Sequence, residues 1–355
     1  MNLFSLKKIA GEFFPSQAIA EIVPFGEGHI NDTYKLSLTG TQEAYILQRI
    51  NTGVFKDPVG LAMTHQKIQE ALAGKDHPMV IARLIPTLNG HFIHFDEEGN
   101  AWRMTSFIQD SYTVEVVEEP WQAYEAGRGY GWFNKVCHQL DATDFKEAIK
   151  DFQRVSFRIW QLDEAVKNDL AGRMESVKDI VAFYKDRQEV FCLMEKLTDE
   201  GVISLRVVHN DTKINNLLFR GKKAAAVIDL DTVGPGILHY DYGDALRTGG
   251  NTSAEDEQDL GKVDFNMEAF EAFTRGYIEQ IKEFVTKVEK DYLYLAPRLM
   301  AFIMGIRFLA DYLNGDVYYK TAYPGHNLIR SRVQRRLIVR MEALEEEMKA
   351  IIQNA

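Results

Sequence analysis

The sequence predicts an α+β fold with two lobes, a small lobe rich in antiparallel strands and a larger, mainly helical lobe. Between residues 21 and 108, short apolar runs alternate with glycine-bearing turns, and one helical stretch near residues 57–74 interrupts them. After residue 120, segments with helical spacing of apolar residues dominate. A chain of 355 residues is long enough for each lobe to bury its own core.

The first lobe opens with a helical segment at residues 3–14. Six strand-like runs follow, and the dipeptide Asn89-Gly90 between the fourth and fifth predicts a β-hairpin. The predicted strands are residues 21–25, 33–38, 45–50, 80–85, 91–95 and 102–108. We expect this lobe to span residues 1–108, with a hinge at about 106–112.

The second lobe is expected to span residues 113–355. Two short apolar strands, residues 205–208 and 224–228, lie among its helices. The predicted helices are residues 122–140, 145–162, 176–197, 266–289, 293–314 and 327–352.

Composition narrows the range of partners. The formal net charge of −11 disfavours binding to nucleic acid, because an acidic surface repels phosphate backbones. The two cysteines, Cys137 and Cys192, form no CxxC pair, so we expect neither a zinc site nor a disulfide framework. The N-terminus lacks the pattern of a signal peptide and no run of about 18 apolar residues occurs. We therefore expect a cytoplasmic protein with no membrane contact.

Residues 207–219 are the most informative segment. An apolar strand leads into a polar loop that contains Asp211 and, five positions later, Asn216; a second apolar strand then ends in Asp229. In phosphoryl transfer a carboxylate accepts the proton of the acceptor hydroxyl, while an amide oxygen and a second carboxylate hold the magnesium ion that accompanies ATP. We predict Asp211 as the catalytic base and Asn216 and Asp229 as Mg²⁺ ligands. Asn and Asp also cap turns, but a turn does not require this spacing.

The same residues carry a resemblance to a known family. His209, Asp211 and Asn216, followed by Ile228-Asp229, are similar to the motifs of the aminoglycoside phosphotransferase and choline kinase family. This resemblance implies a protein-kinase-like fold, in agreement with the order of the two lobes. The family more often has glycine at the position of Asn210, and a side chain there would be able to reach the acceptor. We therefore expect Asn210 to contribute to substrate binding.

Longer strings resemble one branch of that family, the N-acetylhexosamine 1-kinases. Activity of this kind implies transfer of the ATP γ-phosphate to the anomeric hydroxyl of N-acetylglucosamine or N-acetylgalactosamine. The expected partners are ATP, magnesium and the sugar, and the protein would be a monomer or a homodimer. The matching strings are spread over nearly the whole chain, at residues 24–34, 209–216, 228–232, 240–247, 307–316 and 323–330.

The nucleotide would contact the first lobe. Gly26 and Gly28 lie between two predicted strands, where the fold has its phosphate-covering loop. Gln48 occupies the strand position at which the fold usually has a phosphate-binding lysine, and Arg49 would point to the opposite face. The usual glutamate partner on the helix would be Glu70. Adenine would bind to the backbone of the interlobe strand, at Ser106, Phe107 and Ile108.

The acceptor site would combine residues from both lobes. Arg307 lies in an otherwise apolar helix, where an unpaired charge is costly, so it either pairs with a buried carboxylate or binds sugar hydroxyls; the resemblance favours the sugar. Asp231 shares a strand face with Asp229 and would assist the metal or hold the acceptor. The full set of predicted substrate-binding residues is His29, Asn31, Asn210, Asp231, Arg307 and Tyr319.

Three alternatives remain open at the level of sequence. A kinase of the same fold would use the same chemistry on homoserine, choline or an aminoglycoside. A non-catalytic protein that binds nucleotide or sugar would explain the missing lysine but not the intact Asp211, Asn216 and Asp229. A metal-dependent hydrolase would require a histidine-rich ligand set, and His209 has no HxH or HxxxH partner.

Overall fold

The computed structural model describes residues 3–26, 30–74 and 77–355. Two predicted site residues, Gly28 and His29, lie outside these ranges. The described strands are β1 (Ile19–Pro24), β2 (Asp32–Leu38), β3 (Ala44–Ile50), β4 (Val80–Ile81), β5 (Leu84–Ile85), β6 (His94–Phe95), β7 (Ala101–Ser106), β8 (Arg206–Val208), β9 (Leu217–Arg220), β10 (Lys223–Val227) and β11 (Gly234–Gly236).

Helices occur in both lobes but dominate the second, as the sequence predicts. They are α1 (Leu3–Ala10), α2 (Pro58–Leu72), α3 (Pro120–Cys137), α4 (Val155–Asn168), α5 (Lys178–Lys185), α6 (Gln188–Asp199), α7 (Leu238–Gly249), α8 (Met267–Ile281), α9 (Lys287–Asp291), α10 (Ala296–Leu313), α11 (His326–Ala343) and α12 (Glu345–Asn354). The predicted two-lobe α+β architecture, a β-sheet lobe before a helical lobe, is confirmed.

The first lobe is built on one antiparallel sheet with strand order β1-β2-β3-β7-β5, and β6 pairs with the far end of β7. One face of the sheet buries Leu47, Trp102 and Met104 against α1, forming the small core. Side chains on strands alternate between faces, so Gln48 and Arg103, which are opposite each other on β3 and β7, project from the other face. That second face closes over the helical lobe.

The predicted hairpin at Asn89-Gly90 is wrong in its pairing. The turn exists, because Thr87 N–H donates to His91 O over 2.7 Å. However, β5 and β6 both pair with β7 rather than with each other. The predicted strand 80–85 is also divided, because β4 leaves the sheet and pairs in parallel with β10 of the other lobe.

The larger core lies in the second lobe, where α10 packs against α7 and α11. The segment Leu293–Leu313 is long and apolar enough for a membrane span by length and composition, which the sequence expectation did not anticipate. Some 83% of its apolar window is buried inside the fold, as is usual for a core helix.

Several predicted helices differ from the observed ones. Residues 145–154 are not helical, and Asp151 adopts a left-handed φ of 55° that a continuing right-handed helix would not allow. The predicted helix 176–197 is divided into α5 and α6. Helix α7 was missed altogether, although it supports the candidate active site.

Candidate active site

A polar loop after β8 forms the centre of the site. The carboxylate of Asp241, in the first turn of α7, accepts hydrogen bonds of 2.8 Å from the backbone N–H groups of both His209 and Asn210. The hydroxyl of Thr212 donates to the backbone carbonyl of Asp241 over 2.6 Å. Asp241 is fully buried, so these bonds are shielded from water. Hydrogen bonds to Asp241 therefore hold the loop that contains Asp211 against the first turn of α7.

Two side chains join this loop to the segment that follows β10. The imidazole Nε2 of His209 donates to Ile228 O over 2.9 Å, and the amide of Asn210 donates to Thr232 O over 3.1 Å. Asn210 has a φ of 65°, a left-handed conformation that asparagine tolerates better than most residues with a side chain. In this structure the side-chain amide of Asn210 connects the two loops, while its predicted contact with the acceptor stays a prediction.

Asp211 and Asn216 lie together on the loop. The amide nitrogen of Asn216 donates to the backbone carbonyl of Asp211 over 2.9 Å, and Lys213 Nζ lies 3.1 Å from Asp211 Oδ1. Burial favours the neutral acid, but the hydrogen bond and charge of Lys213, together with the charges of His209 and Arg247, outweigh burial and lower the pKa of Asp211. The negative charge of Asp211 in turn raises the pKa of Lys213. Asp211 is therefore ionised near neutral pH, as a proton acceptor must be.

Asp229 follows β10 in a left-handed conformation, with φ at 60°. The residue is exposed to solvent on one side, but the protein packed around its carboxylate removes part of the hydration and so disfavours the charge. Burial, together with the negative charges of Asp231 and Asp211, raises the pKa of Asp229 from 3.8 to about 6. Carboxylates crowded in this way are stabilised by a cation placed between them.

The residues present fit a magnesium ion that is completed by phosphate oxygens. Because Asn216 donates through its nitrogen to Asp211, the amide oxygen remains available, and Asp229 makes no hydrogen bond to any described side chain or backbone group. Within the described ranges, no three His, Cys, Asp or Glu side chains group closely enough to hold a metal alone. Magnesium in kinase sites is commonly held by one or two protein ligands plus substrate phosphates and water.

A buried arginine that the sequence analysis did not single out connects the two lobes. Arg103 on β7 donates to both carboxylate oxygens of Asp231, one of them at 2.9 Å, and to Gln48 Oε1 at 2.8 and 3.0 Å. Asn31 also donates to Asp231, over 2.8 Å. A charged residue in the apolar run Trp102-Arg-Met was a signal for a buried partner, because an unpaired buried charge is costly.

On β3, at the position where this fold usually has a lysine, the side-chain amide of Gln48 is therefore held by hydrogen bonds. Gln48 bridges Arg103 and Thr33, to whose hydroxyl it donates over 3.1 Å. The side chain of Arg49 does not join these groups and instead forms an ion pair with Asp32 on β2. Glu70, expected as the helical partner of this strand, instead accepts a hydrogen bond of 2.7 Å from Gln66 on its own helix, so that expectation is wrong.

The proposed nucleotide contacts lie at the edge of the first lobe. Gly26 follows β1 with a φ of 75°, a left-handed turn that glycine adopts without strain. At the hinge, the N–H groups of Ser106 and Phe107 donate to Arg83 O and Ala44 O. Among the three predicted adenine-binding residues, only Ile108 has a backbone N–H group without an acceptor in the described part of the chain.

The predicted acceptor residues Arg307 and Tyr319 come together around an aromatic cluster. The guanidinium of Arg307 lies 5.1 Å from the ring centre of Phe152 and 5.6 Å from that of Tyr319. In the described part of the chain it has no carboxylate partner; its hydrogen bond goes to the sulfur of Met304 over 3.3 Å. The alternative of a buried ion pair for Arg307 is therefore not realised among these residues.

Three further residues at this cluster were missed by the sequence analysis. Gln153 donates to Asn210 O over 3.0 Å, which connects the aromatic cluster to the loop that contains Asp211. Arg158, also buried, donates to Phe152 O at 2.5 and 3.0 Å and to Gln161. Asp311 accepts from three successive N–H groups, those of Val317, Tyr318 and Tyr319, and so fixes the loop that carries both tyrosines. No short sequence motif signals these contacts, and the bond from Gln153 to Asn210 spans 57 positions.

Comparison with solved structures supports the fold. A microcompartment-associated aminopropanol kinase is 15% identical with a TM-score of 0.66, covering 98% of this chain and 99% of that one. A choline kinase from Cryptosporidium parvum Iowa II is 13% identical with a TM-score of 0.64 and 99% coverage of both chains. An aminoglycoside phosphotransferase from Alicyclobacillus acidocaldarius is 13% identical with a TM-score of 0.63, covering 98% of this chain and 96% of that one.

The family itself follows from the sequence of the chain. Residues 21–277 match the model of the phosphotransferase enzyme family, abbreviated APH. The matched region includes the first-lobe sheet, the loop with Asp211 and Asn216, and the segment with Asp229. Within this region Asn216 is hydrogen-bonded to Asp211, and the charge of Asp211 contributes to the raised pKa of Asp229. The chain belongs to the phosphotransferase enzyme family.

Proposed function

We propose that the protein transfers the γ-phosphate of ATP to the anomeric hydroxyl of an N-acetylhexosamine, N-acetylglucosamine or N-acetylgalactosamine. The observation that carries the kinase chemistry is the joint position of Asp211 and Asn216 on one loop, fixed by the buried carboxylate of Asp241. The sugar assignment rests on the resemblance of long sequence strings to N-acetylhexosamine 1-kinases and on the character of the acceptor cluster.

Asp211 would orient the anomeric hydroxyl and accept its proton as the sugar oxygen attacks phosphorus. Its lowered pKa keeps it ionised. Because the transition state of phosphoryl transfer is loose, positioning matters more than the strength of the base. Lys213, 3.1 Å from Asp211, is half exposed and carries the positive charge closest to the base. It would steady the transferring phosphoryl group.

Asn216 and Asp229 would hold magnesium, which would neutralise charge on the phosphates of ATP. The free amide oxygen of Asn216 and the crowded carboxylate of Asp229 support this role. The loop with Gly26 and Gly28 would cover the phosphates, and the N–H of Ile108 would bind adenine.

The acceptor cluster favours an uncharged or anionic ligand over a cationic one. Neither Arg158 nor Arg307 forms an ion pair with a carboxylate among the described residues, and both guanidinium groups lie against the ring of Phe152. Burial and the charge of Arg307 lower the pKa of Arg158 to about 10. An amine placed here would meet like charge, whereas the carbonyl oxygen of an N-acetyl group would accept hydrogen bonds.

Two orphaned polar atoms support a polar ligand at the same place. The hydroxyl of Tyr319 and Oε1 of Gln153 are buried and have no partner in the described protein. Buried polar atoms are seldom left unpaired, and sugar hydroxyls would satisfy both. His29, Asn31 and Asp231 would approach the sugar from the first lobe and the metal-binding loop.

The guanidinium groups of Arg158 and Arg307 also favour a second class of acceptor, one that carries a carboxylate. Homoserine carries a carboxylate that Arg307 can bind in a bidentate manner, although its amine would need an acidic partner. Choline, aminoglycosides and aminopropanol, all three named in the related structures, offer cationic groups and no anion.

The test is ADP release with Mg²⁺ and ATP over N-acetylglucosamine, N-acetylgalactosamine, glucose, homoserine, choline and an aminoglycoside. We expect turnover of the N-acetylated sugars with kcat/KM at least about 10-fold above glucose, the difference that one extra well-made polar contact of roughly 1.4 kcal/mol supplies. Turnover of an amine alone would reject the sugar while keeping the kinase. Absence of both turnover and ATP binding would favour the alternative of a non-catalytic binding protein.

A further inference from the structure

We propose that the buried ion pair between Arg103 and Asp231 is an interlobe strut that positions Asp229, and that it replaces the lysine–glutamate pair of other kinase-like proteins without giving a cation to the phosphates. This inference rests on the proposed metal-binding role of Asp229 and concerns a positioning function. The name interlobe strut denotes Arg103 and Asp231 with their partners Gln48 and Asn31.

Protein groups occupy four of the five N–H donors of the Arg103 guanidinium. Four of its hydrogen bonds go to Asp231 and Gln48, and the residue is only 5% exposed. Asp231 is 2% exposed. A phosphate-binding cation needs accessible donors, and Arg103 uses its donors inside the fold. We therefore assign Arg103 to holding Asp231 rather than to binding triphosphate.

The strut joins elements that belong to different lobes. Arg103 lies on β7 and Gln48 on β3, opposite each other in the first-lobe sheet. Asn31 lies directly before β2, at the end of the glycine-bearing loop, and its Oδ1 also accepts from Asn51 N–H over 3.0 Å. Asp231 lies in the 3₁₀ turn Leu230–Thr232 of the second lobe. Any relative movement of the lobes must therefore be transmitted to this turn.

The turn controls the conformation of Asp229. A left-handed backbone at a residue other than glycine is unfavourable and persists only where its surroundings enforce it. On one side of Asp229, Ile228 N–H donates to Asn216 O over 3.0 Å. On the other side, Thr232 Oγ1 donates to His209 O over 2.8 Å, while Arg103 holds Asp231. The first-lobe contribution to this restraint runs through the strut.

The kinase-like fold usually places a lysine on the third strand and a glutamate on the helix, and this pair must form for activity. Here Gln48 occupies the strand position and Glu70 is bonded to Gln66. A pair between Arg103 and Asp231 connects the same lobes, but its acid belongs to the metal-binding turn instead of the helix. Lobe closure and metal-ligand geometry are thereby coupled directly.

The principal test replaces both charges together, in Arg103→Leu/Asp231→Leu. Replacing a complete buried pair by apolar residues is commonly neutral for stability, whereas removing one partner leaves a buried charge. We expect the double variant to fold and to lose about 10- to 100-fold in kcat, the scale of misplaced catalytic geometry. The Mg²⁺ concentration for half-maximal rate should rise. A wild-type kcat and Mg²⁺ dependence would overturn the proposal.

Two single substitutions keep the proposal falsifiable if the double variant does not fold. Arg103→Lys keeps the charge but cannot bind Gln48 and both oxygens of Asp231 at once, so we expect an intermediate kcat. Gln48→Lys restores the usual lysine but places a cation against Arg103, so we expect kcat to fall. A rise in kcat for Gln48→Lys would show that the strand position still serves phosphate binding, and would overturn the strut.

The controls separate this inference from the proposed substrate. Arg298→Leu/Glu345→Leu removes an ion pair remote from the site and should leave kcat unchanged. Binding of Mn²⁺–ATP, followed by electron paramagnetic resonance, needs no acceptor. If the N-acetylated sugars fail but another acceptor is phosphorylated, the same variants are measured with that acceptor. Weaker Mn²⁺–ATP binding in the double variant supports the strut, and unchanged binding together with unchanged kcat rejects it.

Discussion

The side-chain amide of Asn216 donates a hydrogen bond of 2.9 Å to the backbone carbonyl of Asp211. This bond fixes the orientation of the amide, because only its nitrogen can donate, and leaves the oxygen for a metal ion. It also ties the proposed metal ligand to the proposed base, so the two groups keep a constant separation. Hydrogen bonds therefore contribute directly to the shape of the loop on which the proposed chemistry depends.

Replacing the proposed base tests the role of Asp211. Asp211→Asn keeps the shape of the side chain but removes the proton acceptor, and we expect kcat to fall by about 10²–10⁴-fold, the usual contribution of a general base. ATP affinity, measured by calorimetry, should change little. Asp186→Asn, an exposed site on the same lobe, is the matched control. Wild-type turnover in Asp211→Asn would exclude this assignment.

Removing the support below the catalytic loop should cost stability as well as activity. Asp241→Ala leaves the buried N–H groups of His209 and Asn210 and the amide of Asn134 without their acceptor. Each unsatisfied buried donor costs roughly 1–3 kcal/mol, so we expect the free energy of unfolding in urea to drop by about 3 kcal/mol or more. A loss below about 1 kcal/mol would show that water or another group replaces Asp241.

The helix that carries Asp241 was not predicted as a helix, although the sequence favours Asp241 and Asp244 as structural braces for the loop that contains Asp211. Asp211, Asn216 and Asp229 lie within 19 positions of one another, so their spacing is readable along the chain. Helix α7 is different, because Asp241 and Asp244 are buried by contacts with the catalytic loop and Arg247, and its polar residues conceal the apolar periodicity of a helix. Its function depends on tertiary contacts that sequence patterns do not encode.

The two lobes were predictable because their periodicities differ, but the contact between them was not. Arg103 and Asp231 are 128 positions apart, and nothing local to either residue identifies the other. The charge within the apolar run of β7 indicates a buried partner without naming it. Similarly, the hairpin prediction failed because turn residues specify a turn and not which strand the flanking segments join.

The metal-free protein should be stabilised by neutralising Asp229. Its folded-state pKa is raised from 3.8 to about 6, so this group contributes its full stability below about pH 4, and that contribution is lost as the pH rises through 6. At pH 8 in EDTA, Asp229→Asn should therefore have a higher Tm than the wild type. The difference between the two Tm values should shrink as the pH falls from 6 to 4. A gap that does not depend on pH would contradict the raised pKa.

Arg307 should act on the acceptor and not on the nucleotide. Arg307→Met removes a guanidinium that has no carboxylate partner among the described residues, so the fold should be retained. We expect the acceptor KM to rise at least about 10-fold, equivalent to loss of roughly 1.4 kcal/mol of binding, while ATP affinity is unchanged. Arg275→Met, an exposed arginine stacked on Tyr124, is the control. Equal acceptor KM values in Arg307→Met and Arg275→Met would show that Arg307 does not bind the acceptor.

The most direct test of the central claim is the position of the new phosphate on the sugar. The purified protein is incubated with Mg²⁺, ATP and N-acetylglucosamine, and the product is examined by ³¹P and ¹H NMR. The account predicts coupling of phosphorus to the anomeric proton, absent when Asp211→Asn replaces the wild type. Phosphate on another carbon, or phosphorylation of homoserine or choline in place of the sugar, would contradict it.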